Sequence, residues 1–328
     1  MPQEFGTLPD GRQATLYTIC AGGITAKVCD FGASLIQLWI PNREGIAEDV
    51  VLGFDDVSGY ANGFSCMGAT IGRNTNRIKN ARFTLEGEVH RVPNNFGPHN
   101  LHSGPDFFQT RLWKAELVAD NSVTFFLHSP HGDQGFPGNA DIRVRYTLEN
   151  SALTIAYEAV SDTKTVFNMT NHSYFNLAGH NKPKLAMEQI LTMPAEFYTA
   201  TDWMGFPTGE LKSVAGTPMD FRTSKPLNQD IRGFFKGYDH NFVVKGDPCA
   251  VLHDPHSGRT MSVTTDCPGL QVYTGGGFRN PGKGGVSYGK HCAVCLESQF
   301  FPDVVNHPQW PQPFFTHYKS QTTYRFTW

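Results

Sequence analysis

The segment DIRVRYTLENSALTIAYEAV constrains the fold of this chain more than any other. Ile142, Val144, Tyr146 and Leu148 alternate with polar residues, the run breaks at Glu149 to Ser151, and Leu153, Ile155 and Tyr157 resume the period of two. A strand sends alternate side chains to opposite faces, so this pattern predicts an antiparallel hairpin with one face buried. RFTLEGEVHRV, AVLHDPHSGRTMSVTT with its PHSG turn, and LQVYTG repeat the theme. No window sustains a helical period beyond two turns, and SGYANG is a short helix at most. Glycine (33) and proline (21) make up about a sixth of the chain, against roughly 12% on average, and they cluster in GFPG, DPHSG and NPGKGG. Many short strands joined by turns follow. No linker, charge run or fixed-period repeat divides the 328 residues. The expectation is an all-β chain forming a large single-domain antiparallel β-sandwich over residues 1–328.

Charged residues are 17% and the formal net charge is −3, which prepares no surface for nucleic acid or an anionic membrane. The opening MPQEFGTLPDGRQ has neither a basic n-region nor an apolar h-region, and no later run approaches the roughly 18 apolar residues that span a bilayer. Seven cysteines, an odd number scattered from Cys20 to Cys295, fit reduced thiols better than a disulfide framework. A soluble, cytoplasmic protein with no nucleic-acid or membrane partner is expected. The one C-x-x-C, Cys292 to Cys295, lies in strand-like HCAVCLESQ without a second pair and reads as structural.

Strand parity points to polar groups that can converge. In NMTNHSYFN it places Asn168, Thr170, His172, Tyr174 and Asn176 on one face, with Met169, Asn171, Ser173 and Phe175 on the other. In HCAVCLESQ, Glu297 shares a face with Cys295 and Ala293, small neighbours that would leave a carboxylate partly desolvated. Locally, Glu297 reads either as a strand-end surface residue or as a placed base, and His172 either as a structural histidine or as an acid. IGRNTNRIKNARF and NNFGPHNLHSG supply Arg73, Asn76, Arg77, His99 and His102, donors for a polyhydroxylated ligand or members of ordinary surface pairs. KGYDHNFV offers Asp239 and His240, which project to opposite faces if extended. His99-x-x-His102, His128-x-x-His131 and His253-x-x-His256 lie in turn-rich sequence without an H-E-x-x-H helix, so no metal is expected. YTGGGFRNPGKGG lacks a P-loop ending and reads as a flexible loop, and no G-x-S-x-G elbow suggests a serine hydrolase.

Taken in order, DFGASLIQLWIP, GRNTNRI, LHSG, GFPG, TNHSYFNLAG, PTGEL, GTPMDF, GYDHNF, LQVYTG and CLESQFFPDVVN resemble the galactose mutarotase (aldose 1-epimerase) family over nearly the whole chain. The resemblance implies a galactose mutarotase-like supersandwich with a shallow sugar site and an interconversion of α and β anomers that needs no cofactor. It implies Glu297 as the general base at the C1 hydroxyl and His172 as the general acid at the ring oxygen. Arg77, His102, Asp239 and Gln271 would bind the sugar hydroxyls, with Asn76 a further contact. A small-molecule monosaccharide is the expected partner, bound by a monomer or a homodimer. Burial should raise the Glu297 pKa, while Asp239 or another carboxylate should keep His172 protonated. LHSG and YTGGGF, with Ser103 and extra glycine in place of the family's usual residues, and Asn74-Thr75 in GRNTNRI, border the implied site and bear on substrate preference. Arg73 keeps open a hexose-6-phosphate epimerase, and a non-catalytic sugar-binding protein is the reading from another class.

Overall fold

The strand Ala140–Glu149 pairs antiparallel with Ala152–Val166, setting Leu148 opposite Leu153, Tyr146 opposite Ile155 and Val144 opposite Tyr157. All six are buried, so the alternation read from sequence is the inner face of a sheet. The two residues between the strands, Asn150 and Ser151, both have positive φ (47° and 57°), the backbone of a tight hairpin turn whose twist matches its strands. The computed structural model describes residues 2–61, 66–231, 237–277 and 280–328, so Asn62 and Gly63 of SGYANG and Phe278 and Arg279 of the glycine-rich segment lie outside the described residues.

This hairpin supplies the third and fourth strands of a nine-stranded antiparallel sheet running from Lys114–Ala119 at one edge, through Phe314–Thr327 at its centre, to Lys225–Pro226 at the other. A five-stranded sheet is built from the first strands of the chain, Gln3–Thr7 to Ala47–Asp49. A second five-stranded sheet has the order Pro207–Ser213, Phe197–Thr201, Asp239–Val243, Gly269–Tyr273 and Cys295–Gln299. One apolar cluster joins all three: Ile24 and Leu38, Val144 and Ile155, and Phe242, Leu270 and Leu296 all belong to it. Among the described residues, helix amounts to a five-residue turn at Val57–Ala61 and short 3-10 segments, the longest at Pro183–Glu188. No helix among the described residues is long and apolar enough to cross a membrane.

Two expectations need correction. TNHSYFNLAG is no continuous strand: only Thr170–Asn171 pair, with Ile71 and Thr70, followed by isolated bridges at Phe175. Parity therefore fails over its length. Asn168 bonds the Phe300 amide and Asn176 reaches the carbonyl of Lys182, while His172 and Tyr174 stack at 4.9 Å. The glycine-rich segment is also pinned rather than free along its described second half. Lys283, 4% exposed, drives its ammonium into the first sheet against Asp49 at 2.5 Å and the carbonyls of Ile36 and Val51.

Candidate active site

The sheet that ends in Cys295–Gln299 has two unlike faces, and register explains why. Asn241 stands opposite Gln271 and Gln271 opposite Glu297, while Asp239 stands opposite Tyr273 and Tyr273 opposite Cys295. Directly opposed residues share a face. The intervening Phe242, Leu270, Val272 and Leu296 are packed in the main core. Burying that face turns Asp239, Gln271, Tyr273 and Glu297 to the other side, where they line a cavity of about 200 Å³.

The opposite wall comes from two chain segments laced together. Arg77 and Ile78 pair with Leu101 and Asn100, His102 N–H donates to the Asn76 carbonyl at 2.9 Å, and Asn76 N–H donates back to His102 Nδ1 at 3.2 Å. Asn76 and His102 both sit at positive φ (61° and 54°), a conformation these cross-bonds hold. An accepting Nδ1 puts the neutral ring's proton on Nε2. Burial, with His172 and Arg77 nearby, pushes the His102 pKa well below 6.5, so His102 faces the cavity as a neutral donor.

All seven residues anticipated from sequence, Asn76, Arg77, His102, His172, Asp239, Gln271 and Glu297, line this cavity. His172 Nε2 stands 3.7 Å from Glu297 Oε1, with the two side chains only 6% and 3% exposed. Cys295 Sγ lies 3.5 Å from the other ring nitrogen, Nδ1. At the far side, Arg77 donates to Asn76 Oδ1 and Asp239 Oδ2, each at 3.1 Å, and Gln271 donates to Asp239 Oδ1 at 2.6 Å. Gly205 closes on the guanidinium at a φ of 84° that favours glycine, and a Cβ there would lie 3.3 Å from Arg77 Cζ, a tight contact.

Sequence reading missed Cys66, Leu101 and Tyr273 as lining residues. Tyr273 carried a signal, since it shares parity with Gln271. Cys66 comes from a segment with none. Three residues that were considered fall elsewhere. Arg73 is fully buried behind the wall, its guanidinium bonded to Ser129 and to the carbonyls of Pro130, Pro137 and Gly138. His99 accepts from the Asn80 amide through Nδ1 and packs on Phe206. His240 accepts from the Asp239 amide. Ser103 does not face the cavity: its hydroxyl accepts from Asn74 N–H at 2.9 Å and donates to Asn74 C=O at 2.8 Å. Two departures from the family pattern thus form one clasp behind His102, and neither Ser103 nor Asn74 lines the cavity. Ser103→Ala is expected to cost about 1–3 kcal/mol of stability by leaving two buried backbone groups unpaired, measurable by urea unfolding, with the ratio of glucose to galactose turnover unchanged.

Electrostatics separates the carboxylates. Burial raises Asp239, but Arg77, His240 and Gln271 together outweigh it and hold it below the ordinary value of 3.8. Glu297 is pushed well above 4.5 by burial and by the charge of Asp239, against a smaller opposing pull from Arg77. His172 is lowered to about 4, chiefly by burial, with weaker opposition from its own backbone and Asp239. The Glu297 direction matches expectation; Asp239 does not keep His172 charged, because desolvation dominates. Between these limits the pair holds one proton.

The signs give a stability prediction. The unfolded chain protonates His172 near 6.5 while the folded chain resists until about 4, so stability is lost as pH falls through that window. Glu297 keeps its proton above 4.5 when folded, so it withdraws stability as pH rises beyond 4.5. Thermal unfolding of Glu297→Gln should therefore exceed wild type by a margin that grows with pH above 4.5 until the folded pKa is passed.

His172, Cys295 and Glu297 form the one histidine, cysteine and carboxylate cluster among the described residues, their atoms within 4.8 Å. The thiol meets Nδ1 and the carboxylate meets Nε2 of the same ring.

This sequence and this fold have known counterparts. The sequence model of the aldose 1-epimerase family matches residues 15–327. The chain belongs to the aldose 1-epimerase family. Galactose mutarotase of Bos taurus is 38% identical over 315 residues, covering 94% of this chain and 92% of the relative. The aldose 1-epimerase of Haemophilus influenzae is 38% identical over 320 residues, covering 94% and 93%. The crystal structure of an aldose epimerase homologue from C. elegans superposes with a TM-score of 0.90 at 32% identity, covering 96% of this chain and 99% of that one. Membership in the aldose 1-epimerase family makes the protein an isomerase.

Proposed function

We propose that the protein interconverts the α and β anomers of a free neutral hexose, galactose or glucose, with Glu297 and His172 exchanging protons at opposite sides of one C–O bond. The observation that carries this reading is the 3.7 Å approach of His172 Nε2 to Glu297 Oε1. Opening a cyclic hemiacetal takes a proton from the C1 hydroxyl and gives one to the ring oxygen, so a base and an acid are needed together. Glutamate removes the first proton while imidazolium donates the second. The products are an open aldehyde, glutamic acid and neutral imidazole. Rotation about C1–C2 exposes the other carbonyl face, and closure runs the transfers backwards. Opening uses the ion-paired form of the pair and closing uses the neutral form, so both must be accessible. Burial favours the neutral form in the empty cavity. Sugar hydroxyls, binding as donors and acceptors, make the charged form accessible.

Asn76, Arg77, His102, Asp239 and Gln271 are the proposed hydroxyl readers. Such contacts replace contacts with water and give only about 0.5–1.5 kcal/mol each, so binding should be roughly millimolar, about 4 kcal/mol in total. Calorimetry giving a sub-micromolar Kd for galactose or glucose would contradict this. A 6-phosphate substrate is disfavoured. The guanidinium of Arg73 is enclosed by its bonds to Ser129 and three carbonyls, and Arg77, the one Lys or Arg among the described lining residues, is paired with Asp239. A cytoplasmic site of action is proposed from the seven free thiols. Exchange NMR on anomerically pure galactose, glucose and glucose 6-phosphate tests the substrate. Acceleration of the free sugars supports the reading, acceleration of the phosphate alone replaces it, and no acceleration of any leaves a binding protein.

A further inference from the structure

Behind the cavity stands a buried amide that the reaction itself does not use. Gln299 is fully enclosed, two residues beyond Glu297 on the same strand, and so faces the same side. Its ladder partner is Gly269, where a Cβ would lie 2.4 Å from Asn241 Oδ1. The absent side chain gives the amides room to meet. Gln299 Nε2 donates to Asn241 Oδ1 at 3.2 Å and to Gln271 Oε1 at 3.3 Å. Gln271 Nε2 in turn donates to Asp239 Oδ1 at 2.6 Å, and Asp239 Oδ2 accepts from Arg77 at 3.1 Å.

The chain of amides runs in one direction, and not because every atom in it is satisfied. Gln299 Oε1 and Asn241 Nδ2 are both buried without a partner, a costly arrangement. Turning both amides over would pair those two atoms. It would also set Gln299 Oε1 against Gln271 Oε1 unless Gln271 turned as well, and a turned Gln271 would bring its oxygen 2.6 Å from the Asp239 carboxylate. Two acceptors at that distance repel. Arg77 keeps Asp239 ionised, so Gln271 is fixed from both ends, its NH2 by the Asp239 carboxylate and its oxygen by the Gln299 NH2.

We propose that Gln299 is a positioning residue for sugar binding, holding the Gln271 amide with its NH2 toward Asp239 so that the Asp239 and Arg77 pair is presented to the substrate in one fixed geometry. The proposal rests on the reading of the cavity as a hexose site. Gln299 touches no substrate, and it acts through binding, leaving the Glu297 and His172 proton transfers alone. Gln299→Glu keeps the shape and removes the NH2 that Gln271 accepts from; Gln299→Leu removes the polar group.

Steady-state anomer exchange of galactose, followed by NMR beside thermal unfolding, tests this. The expected result is a KM raised about tenfold in both variants, one neutral hydrogen bond's worth, with kcat within threefold of wild type. An unchanged KM in either folded variant overturns the proposal, as does a fall in kcat at constant KM, which would mean that Gln299 acts through Glu297. Should neither variant fold, wild-type NMR decides: the Gln299 and Gln271 side-chain NH2 protons should exchange slowly with solvent and shift on adding galactose, and exchange at the free-amide rate is the contrary result. A wild-type protein with no activity on sugars defeats the functional reading, while the amide-exchange measurement still tests the chain of amides.

Discussion

Glu297→Gln is expected to lower kcat for anomer exchange by about 10²–10⁴-fold while galactose binds within threefold of wild type. The amide has the shape of the carboxyl group and can still hydrogen bond, but it cannot take the C1 hydroxyl proton. His172→Asn should lose a similar factor. The double variant should be little worse than either single one, because groups that transfer protons as a unit fail together. Binding measured by titration calorimetry and turnover measured by NMR separate the two effects. Near-normal turnover in a folded Glu297→Gln protein would remove the proposed base.

Lys283→Met should produce the largest loss of stability, about 3–5 kcal/mol in urea unfolding. The substitution leaves Asp49, 2% exposed, without its cation, and strips a donor from the carbonyls of Ile36 and Val51. Replacing both partners, Lys283→Met with Asp49→Leu, should recover part of the loss, since it removes the uncompensated charge. Recovery will be incomplete because Asp49 also accepts from the Leu38 and Val51 amides. Lys283 is outside the cavity lining, so turnover per folded molecule should hold.

The fold and the site were legible to different depths. Strand alternation in Ala140–Glu149 and Ala152–Val166 is a local signal, because each side chain's face depends only on its own parity. Glu297 takes its face for the same reason, whereas Gln271 entered through the family motif. Parity also grouped His172 with Thr170 and Tyr174, but its segment bends away after two paired residues, so the place of His172 in the site rests on the family motif. Burial escaped local reading. The opposite pKa directions of Glu297 and His172 come from desolvation by the whole fold, and no neighbour in sequence announces that. Arg73 looked available for a phosphate because its acceptors are supplied by segments more than fifty residues away. Ser103 looked like a specificity change because its partner, Asn74, lies 29 residues upstream. The pinning of the glycine-rich segment through Lys283 depends on carbonyls more than two hundred residues distant.

In the proposed mechanism Glu297 and His172 work as a buried pair holding one proton. The pH dependence of kcat/KM for galactose, by exchange NMR with the uncatalysed rate subtracted, tests it most directly. A bell is expected: activity falls on the acid side as a second proton reaches the pair and on the alkaline side as the last one leaves, with apparent pKa values belonging to the pair. Neutralising the nearby charge with Asp239→Asn should bring the alkaline limb to lower pH, since that charge helps to hold the proton on Glu297. A profile that stays flat from about pH 4 to 10, with no limb on either side, would contradict it.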